Sequence, residues 1–297
     1  MTIRFNPDLY SDVVAGLNNN NVQQSTAFQE LSTGRRVQQP SDDPSATADV
    51  INIHWQSAQT DQYAQNVNNL QGLLQTADST MSSVISSLNQ AISLGVQSGD
   101  STLSPTNRAT IATQVQNIGK QILTLANTSF QGTYIFAGTK SGQPAYVANP
   151  ASPNGVTYQG NSNTNQVEVA PGQTVTMNTP GSQLFTNPSG DVFAALTNLA
   201  TAAATGNGVP AAVDQLKTAF DTVNAQRTQY GTSLNQLQTA QTFLATNKLG
   251  LSTQENSAVG IDLAQAASDV QKALTQRSAI LAAGGKIQNV SLLDYLK

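Results

Sequence analysis

Tyr63, Val67, Leu70, Leu74, Ala77, Met81, Val84, Leu88 and Ala91 follow one another at alternating spacings of four and three residues. That period puts every one of them on a single seam of an α-helix and calls for a second helix on the same seam. No proline lies between Pro44 and Pro105, so the spacing predicts one long helix from Pro44 to about Gln97. Gly99-Asp100 ends it, and Ser104-Pro105 opens the next, because proline is at ease in a first helical turn and serine caps it. Ile111, Val115, Ile118, Ile122 and Leu125 then repeat the same period, and the short connection implies antiparallel packing.

A third array follows further on. Helix is expected again from Val192, and no proline occurs after Pro210. Val213, Leu216, Phe220, Val223, Arg227, Tyr230, Leu234, Leu237, Gln241 and Leu244 carry the period to about Leu249-Gly250. Between the helical blocks the pattern changes. At Thr133 alternation sets in, with Tyr134 and Phe136 on one side and Ile135 and Ala137 on the other. Six of the eleven prolines lie from Pro144 to Pro188, which excludes long helices there. Val167/Val169 and Val175/Met177 alternate with polar residues, and Ala170-Pro171-Gly172-Gln173 between them has the residues of a tight turn.

The chain ends carry a weaker signal of the same kind. Asn6 and Pro7 are suited to open a helix that runs to Thr33 and stops at Gly34. Its apolar residues are Val13, Val14, Leu17, Phe28 and Leu31. Between Leu17 and Phe28 the face is nearly blank, with Asn18 to Asn21, Gln23 and Gln24 broken only by Val22. At the other end Val259, Leu263, Ala266/Ala267, Val270, Ala273/Leu274 and Ile280/Leu281 mark a helix of about 30 residues, roughly 45 Å long. Gly284-Gly285 within it reads as a hinge or a close contact. Two such ends pair weakly alone, so each is expected to be disordered in the monomer and to become helical on assembly. From Gly34 to Pro44 two prolines force an extended crossing, with Asp43 capping the next helix and Asp42 beside its positive end.

The fold class expected is therefore mainly α: a long-helix coiled-coil bundle with paired terminal helices and a small β insert. The domains expected are residues 1–43 with 260–297 (terminal helices), 44–140 with 191–259 (bundle) and 141–190 (β insert).

Chemistry finds little to work with. His54 is the single histidine and there is no cysteine, so neither a two-histidine nor a thiolate metal site can form. His54 adjoins Trp55 in a helical run, and no serine stands in a glycine elbow. Asp42-Asp43 lacks the further oxygen ligands of a calcium loop, and capping is its expected role. Gly138 to Lys140 lacks the spacing of a phosphate loop. No cofactor is expected. Charged residues make up only 10% of the chain and the net charge is -4, which argues against nucleic acid. No apolar run reaches membrane-span length, and the N-terminus lacks a basic segment followed by an apolar one, so neither membrane insertion nor a cleaved signal peptide is expected.

Leu31-Ser32-Thr33-Gly34-Arg35-Arg36-Val37 followed by Pro40-Ser41-Asp42-Asp43-Pro44 resembles the N-terminal signature of flagellins and their hook-associated relatives. Ile92-Ser93-Leu94-Gly95-Val96-Gln97, with Thr102-Leu103-Ser104 and Arg108, is similar to the bundle helix and turn of that superfamily. Tyr134-Ile135-Phe136-Ala137-Gly138-Thr139-Lys140 and Ser291-Leu292-Leu293-Asp294-Tyr295-Leu296 look like the hook-associated branch more than flagellin. The resemblance covers roughly residues 1–140 and 190–297.

It implies a non-enzymatic, extracellular flagellar subunit, exported unfolded through the flagellar type III apparatus and met by an export chaperone near its C-terminus. It also implies a ring or tube of copies joining hook-associated protein 1 to flagellin, with the chain ends forming the inner wall. The assembly residues expected on this reading are Val13, Val14, Leu17, Phe28, Leu31, Leu263, Val270, Leu274 and Leu281, with Leu292, Leu293 and Leu296 for chaperone or tube contacts. Ile92 stands where flagellins detected by an animal immune receptor carry arginine, so receptor recognition is not implied. Two other readings are a flagellin proper, and a secreted adhesin whose Tyr146, Tyr158 and Phe185 stack on sugars.

Overall fold

The computed structural model describes the backbone of residues 8–293 and the side chains of residues 11–286. The expected cap at Asn6-Pro7 therefore lies outside the described residues. Seven helices and eight short strands follow in chain order among the described residues: α1 (Asp8–Thr33), α2 (Pro44–Ser98), α3 (Pro105–Ala126), β1 (Ser129–Phe130), β2 (Thr133–Tyr134), β3 (Tyr146–Ala148), β4 (Val156–Tyr158), β5 (Gln166–Ala170), β6 (Gln173–Thr176), α4 (Gly181–Leu184), β7 (Thr186–Asn187), β8 (Gly190–Asp191), α5 (Val192–Thr205), α6 (Val209–Val259) and α7 (Leu263–Leu293). The protein is mainly α, with long helices and a small set of paired strands as an insert. Two compact units are formed, one by residues up to Ala58 and from Asn247 on, the other by Gln59–Thr246.

The second unit is the coiled-coil bundle with its insert. Val67, Leu70, Leu74, Ala77, Met81, Val84, Leu88 and Ala91 of α2 are all buried, as the spacing predicts, and Tyr63 is half-buried. Ile111, Val115, Ile118 and Ile122 of α3 join them. On α6 the phase drifts: Ala219 and Ala240 take buried places beside the half-buried Phe220 and exposed Gln241. Arg227 keeps its position on the seam by holding Asp78 of α2 with two bonds, Nε to Oδ1 at 2.8 Å and Nη2 to Oδ2 at 3.2 Å. Gly95 is the close-approach point of the bundle. A Cβ there would come within 2.7 Å of Val213 Cγ2 and 2.9 Å of Leu199 Cδ1.

The strands pair as four separate two-stranded hairpins. The Ala170-Pro171-Gly172-Gln173 turn joins β5 to β6, with Gly172 at φ 72° as a type II turn requires. The strand expected from Thr133 onward is cut short. Only Thr133 and Tyr134 pair, and Ile135, Phe136 and Ala137 are all buried rather than alternating. The Phe136 carbonyl accepts from Gly181 N (2.7 Å) and from the Tyr158 hydroxyl (2.9 Å), so tertiary partners have replaced a ladder.

Phe136, Tyr146, Phe185 and Phe193 form the aromatic centre of the insert, with Phe136 and Phe185 edge to face at 5.3 Å. Tyr146 and Phe185 are inaccessible to any sugar and Tyr158 is half-buried, so the three do not form the stacking surface that the adhesin reading needs.

Within the first unit, Gly34 at φ 70° closes α1, its N–H donating to the Glu30 carbonyl. Asp43 Oδ1 accepts from Ala46 N at 3.0 Å and so caps α2 as expected. Asp42 does something different. Its carboxylate folds back to accept from Gln38 N (3.0 Å) and Gln39 N (2.8 Å), bracing the crossing rather than the helix end. Helix α6 also runs past the expected stop at Leu249-Gly250 to Val259, because buried Leu251 and Val259 continue its apolar side.

Candidate assembly surface on the paired terminal helices

Helices α1 and α7 lie antiparallel, and small and polar residues make the seam. Gly16 lets Ile280 approach. A Cβ at Gly284 would come within 3.3 Å of Val13 Cγ1, so Gly284 marks a close contact. Asn20, buried in the middle, donates through Nδ2 to the Ala273 carbonyl at 3.0 Å and faces Gln276 Oε1 at 3.4 Å. Arg277 Nη1 donates to Gln24 Oε1 at 3.3 Å. The ends thus form a helix pair within the single chain, where the sequence leads one to expect disorder. The Asn-rich face that looked blank supplies polar bonds in place of apolar packing.

Where α1 ends and α7 begins, the backbone is stitched. Arg36 N donates to the Val259 carbonyl at 2.7 Å and Ile261 N to the Gly34 carbonyl at 3.2 Å, an antiparallel bridge centred on Arg35 and Gly260. Glu255 accepts from Arg35 and faces His54 Nε2 at 3.1 Å. Arg36 bonds Asp43 Oδ2 and the Ala258 carbonyl. The Ala46 N–H and then Arg36 hold the Asp43 carboxyl below its ordinary pKa, and the Gln39 and Gln38 amides do the same for Asp42. Beneath lie Val37, Ala46 and Val259.

The expected assembly residues divide into two groups. Val270 is buried in the seam, together with Ala266 and Ala273, and Val13, Leu17 and Leu31 are half-buried. Val14, Phe28, Leu263, Leu274 and Leu281 are not covered by this pairing; Leu263 is 61% exposed and Leu281 55%. On α7, positions 263, 274 and 281 are separated by 11 and 7 residues, about three turns and two. They form one line beside the buried one. The side chains of Leu292, Leu293 and Leu296 lie outside the described residues.

Ile51 and Trp55 escape a heptad reading. They are exposed on α2 four residues apart, while Ile53 between them is buried, and their off-seam position was the only available signal. Among the described residues no three or more histidines, aspartates and glutamates converge on a metal position, and no helix is long and apolar enough to cross a membrane.

The model of the bacterial flagellin N-terminal helical region matches residues 9–141, and that of the C-terminal helical region matches residues 213–296. The chain is 29% identical over 280 residues to flagellar hook-associated protein 3 of Salmonella typhimurium, covering 86% of this chain and 87% of that protein. It is 27% identical to flagellar hook-associated protein 3 of Escherichia coli, covering 97% and 98%. Among solved structures, a flagellar hook-associated protein from Vibrio parahaemolyticus shares the fold with a TM-score of 0.68 at 22% identity, covering 74% of this chain and all of that one. With both terminal helical regions matched and hook-associated relatives aligned over nearly its whole length, the chain belongs to the flagellin superfamily, in the branch of flagellar hook-associated protein 3.

Proposed function

We infer that this chain is a structural subunit of the bacterial flagellum, acting at the junction of hook and filament outside the cell. Its role is mechanical, and long coiled-coil helices suit it. Its neighbours are further copies of itself, hook-associated protein 1 on the hook side and flagellin on the filament side, with an export chaperone bound before secretion. Residues 1–43 with 260–297 make the assembly contacts, residues 44–140 with 191–259 support them, and residues 141–190 form the insert.

The observation that carries the reading is the apolar line of Leu263, Leu274 and Leu281, with Val14 and Phe28 on α1, left exposed although α1 and α7 already pair. Covering a Leu or Phe side chain contributes about 1.5–3 kcal/mol. Where a different surface of the next copy receives this line, the contact is heterologous and generates a ring or tube.

Electron microscopy of cells lacking the protein tests the role: intact hooks with detached filaments support it, and normally attached filaments overturn it. Seeding purified protein on hook–basal bodies separates the two family roles, because a junction subunit stops after a short layer whereas a flagellin grows long filaments.

A further inference from the structure

The α5–α6 turn holds a reactive site that assembly does not explain. Two Asn-Gly dipeptides occur in the chain, Asn154-Gly155 and Asn207-Gly208. Glycine after asparagine matters chemically, because a residue without a Cβ leaves its backbone nitrogen most open to the preceding side-chain carbonyl.

The two dipeptides are held very differently. At Asn154 the leaving amide is pinned, Nδ2 donating to Asp191 Oδ2 at 3.0 Å and Oδ1 accepting from Ser152 Oγ at 2.7 Å. The Gly155 N–H is engaged as well, donating to the Ser152 carbonyl at 2.9 Å. At Asn207 none of these restraints exists among the described residues. The side chain is exposed and makes no hydrogen bond, the Gly208 N–H has no acceptor, and Gly206 and Gly208 flank it at φ 74° and 71°.

We propose that Asn207 is a site of spontaneous deamidation in the folded protein, while Asn154 is protected by its hydrogen bonds. Gly208 N gives up its proton to solvent base and attacks Asn207 Cγ; the new C–N bond closes a five-membered imide as the Cγ–NH2 bond breaks and ammonia leaves. Water then opens the imide at either carbonyl, giving aspartate or isoaspartate, with no oxidant or reductant required. The product carboxylate is accommodated. It appears at the positive end of α6, one residue from Gly206, against which the Arg108 guanidinium packs. Each subunit so acquires one further negative charge, irreversibly, as it ages.

The test is peptide mapping by mass spectrometry of the full-length protein, incubated folded at mildly alkaline pH and, in parallel, unfolded in urea. Folded protein is expected to convert the Asn207 peptide to a mixture of Asp and isoAsp at least roughly tenfold faster than the Asn154 peptide, since several hydrogen bonds must break before attack at Asn154. In urea the two are expected to convert at comparable rates. Asn207→Gln removes the gain at that peptide and leaves Asn154 unchanged. Equal conversion of the two peptides in the folded protein, or an Asn207 amide that persists when folded while the unfolded chain loses it, overturns the proposal.

Discussion

The side-chain amide of Asn20 reaches across the α1–α7 seam to the backbone carbonyl oxygen of Ala273 at 3.0 Å, while its own Oδ1, buried, meets no donor among the described residues. A half-satisfied amide stabilises the pair poorly, yet it bonds well in one alignment only, and that is how a polar residue fixes register in a seam of small residues. Asn20→Leu is therefore expected to stabilise the pair by about 1 kcal/mol and to loosen its alignment. The chain has no cysteine to interfere with cross-linking. Val13→Cys with Gly284→Cys reports the native register, and Val13→Cys with Arg277→Cys a slip of one heptad. The native pair alone should oxidise with Asn20 present, and both pairs with leucine in its place. A leucine variant that forms only the native cross-link would show that Asn20 does not set register.

Two buried tyrosines should answer the same substitution differently. The Tyr146 hydroxyl lies 3.0 Å from Thr186 Oγ1, so Tyr146→Phe is expected to cost about 1 kcal/mol and Tyr146→Ala about 3–5 kcal/mol. The Tyr230 hydroxyl is buried near Thr179 without a bond of good geometry, and Tyr230→Phe should be neutral or slightly stabilising. Urea unfolding of the three variants checks this.

Alkali gives Tyr230 a second signature. Burial pushes its pKa from 10 up to about 12. The unfolded chain therefore ionises first as pH rises, so the stability this group contributes is complete below pH 10 and is lost as pH climbs toward 12. Tyr230→Phe should flatten the fall of the thermal midpoint over that window. An unchanged alkaline slope would refute the assignment.

At the acid end the crossing between α1 and α2 should yield early. Asp42 and Asp43 are both held below their ordinary pKa, chiefly by backbone amides, so their contribution is present above the unfolded value of 3.8 and disappears as pH falls through the lower folded values. Asp43→Ala removes the cap on α2 and the Arg36 contact together. It should lower the thermal midpoint at neutral pH and leave a smaller difference from the parent chain once the carboxylates are protonated. Equal destabilisation at both pH values would argue against an electrostatic cap.

How far the sequence spoke for itself depended on how local the cause was. The α2 seam from Val67 to Ala91 was legible because a repeat over four heptads has one geometric solution. So was the Pro171-Gly172 turn, where two residues fix two backbone angles. The strand drawn through Ile135, Phe136 and Ala137 failed because Tyr158 and Gly181, distant in sequence, claim the Phe136 carbonyl. On α7 the spacing found the apolar residues and could not divide them. Ala273 and Leu274 are neighbours about 100° apart around the helix, and which of them faces α1 depends on a distant partner helix, where Asn20, 253 residues away, bonds the Ala273 carbonyl. Ile51 and Trp55 lie off the heptad seam, and only their exposure makes them visible.

The exposed line on α7 supplies the sharpest test of assembly. Leu281 is more than half exposed and Leu274 is 38% exposed, so Leu274→Gln with Leu281→Gln should lower unfolding stability by no more than about 1 kcal/mol. If a neighbouring subunit covers both, what remains to be buried is 38% of Leu274 and 55% of Leu281. At about 1.5–3 kcal/mol per full side chain this contributes about 1.4–2.8 kcal/mol together, and its loss should weaken incorporation onto hook–basal bodies by roughly tenfold to a hundredfold. Val270→Ala is the converse variant. Val270 is 8% exposed and sits in the seam, so that change should destabilise the α1–α7 pair itself and impair assembly only through it. Val96→Gln, a more exposed apolar position on α2 in the other unit, controls for loss of surface hydrophobicity alone. The assignment requires that the double leucine variant fold normally and fail to seat while the Val96 variant seats. Normal seating of the double variant would mean that this line faces no neighbour.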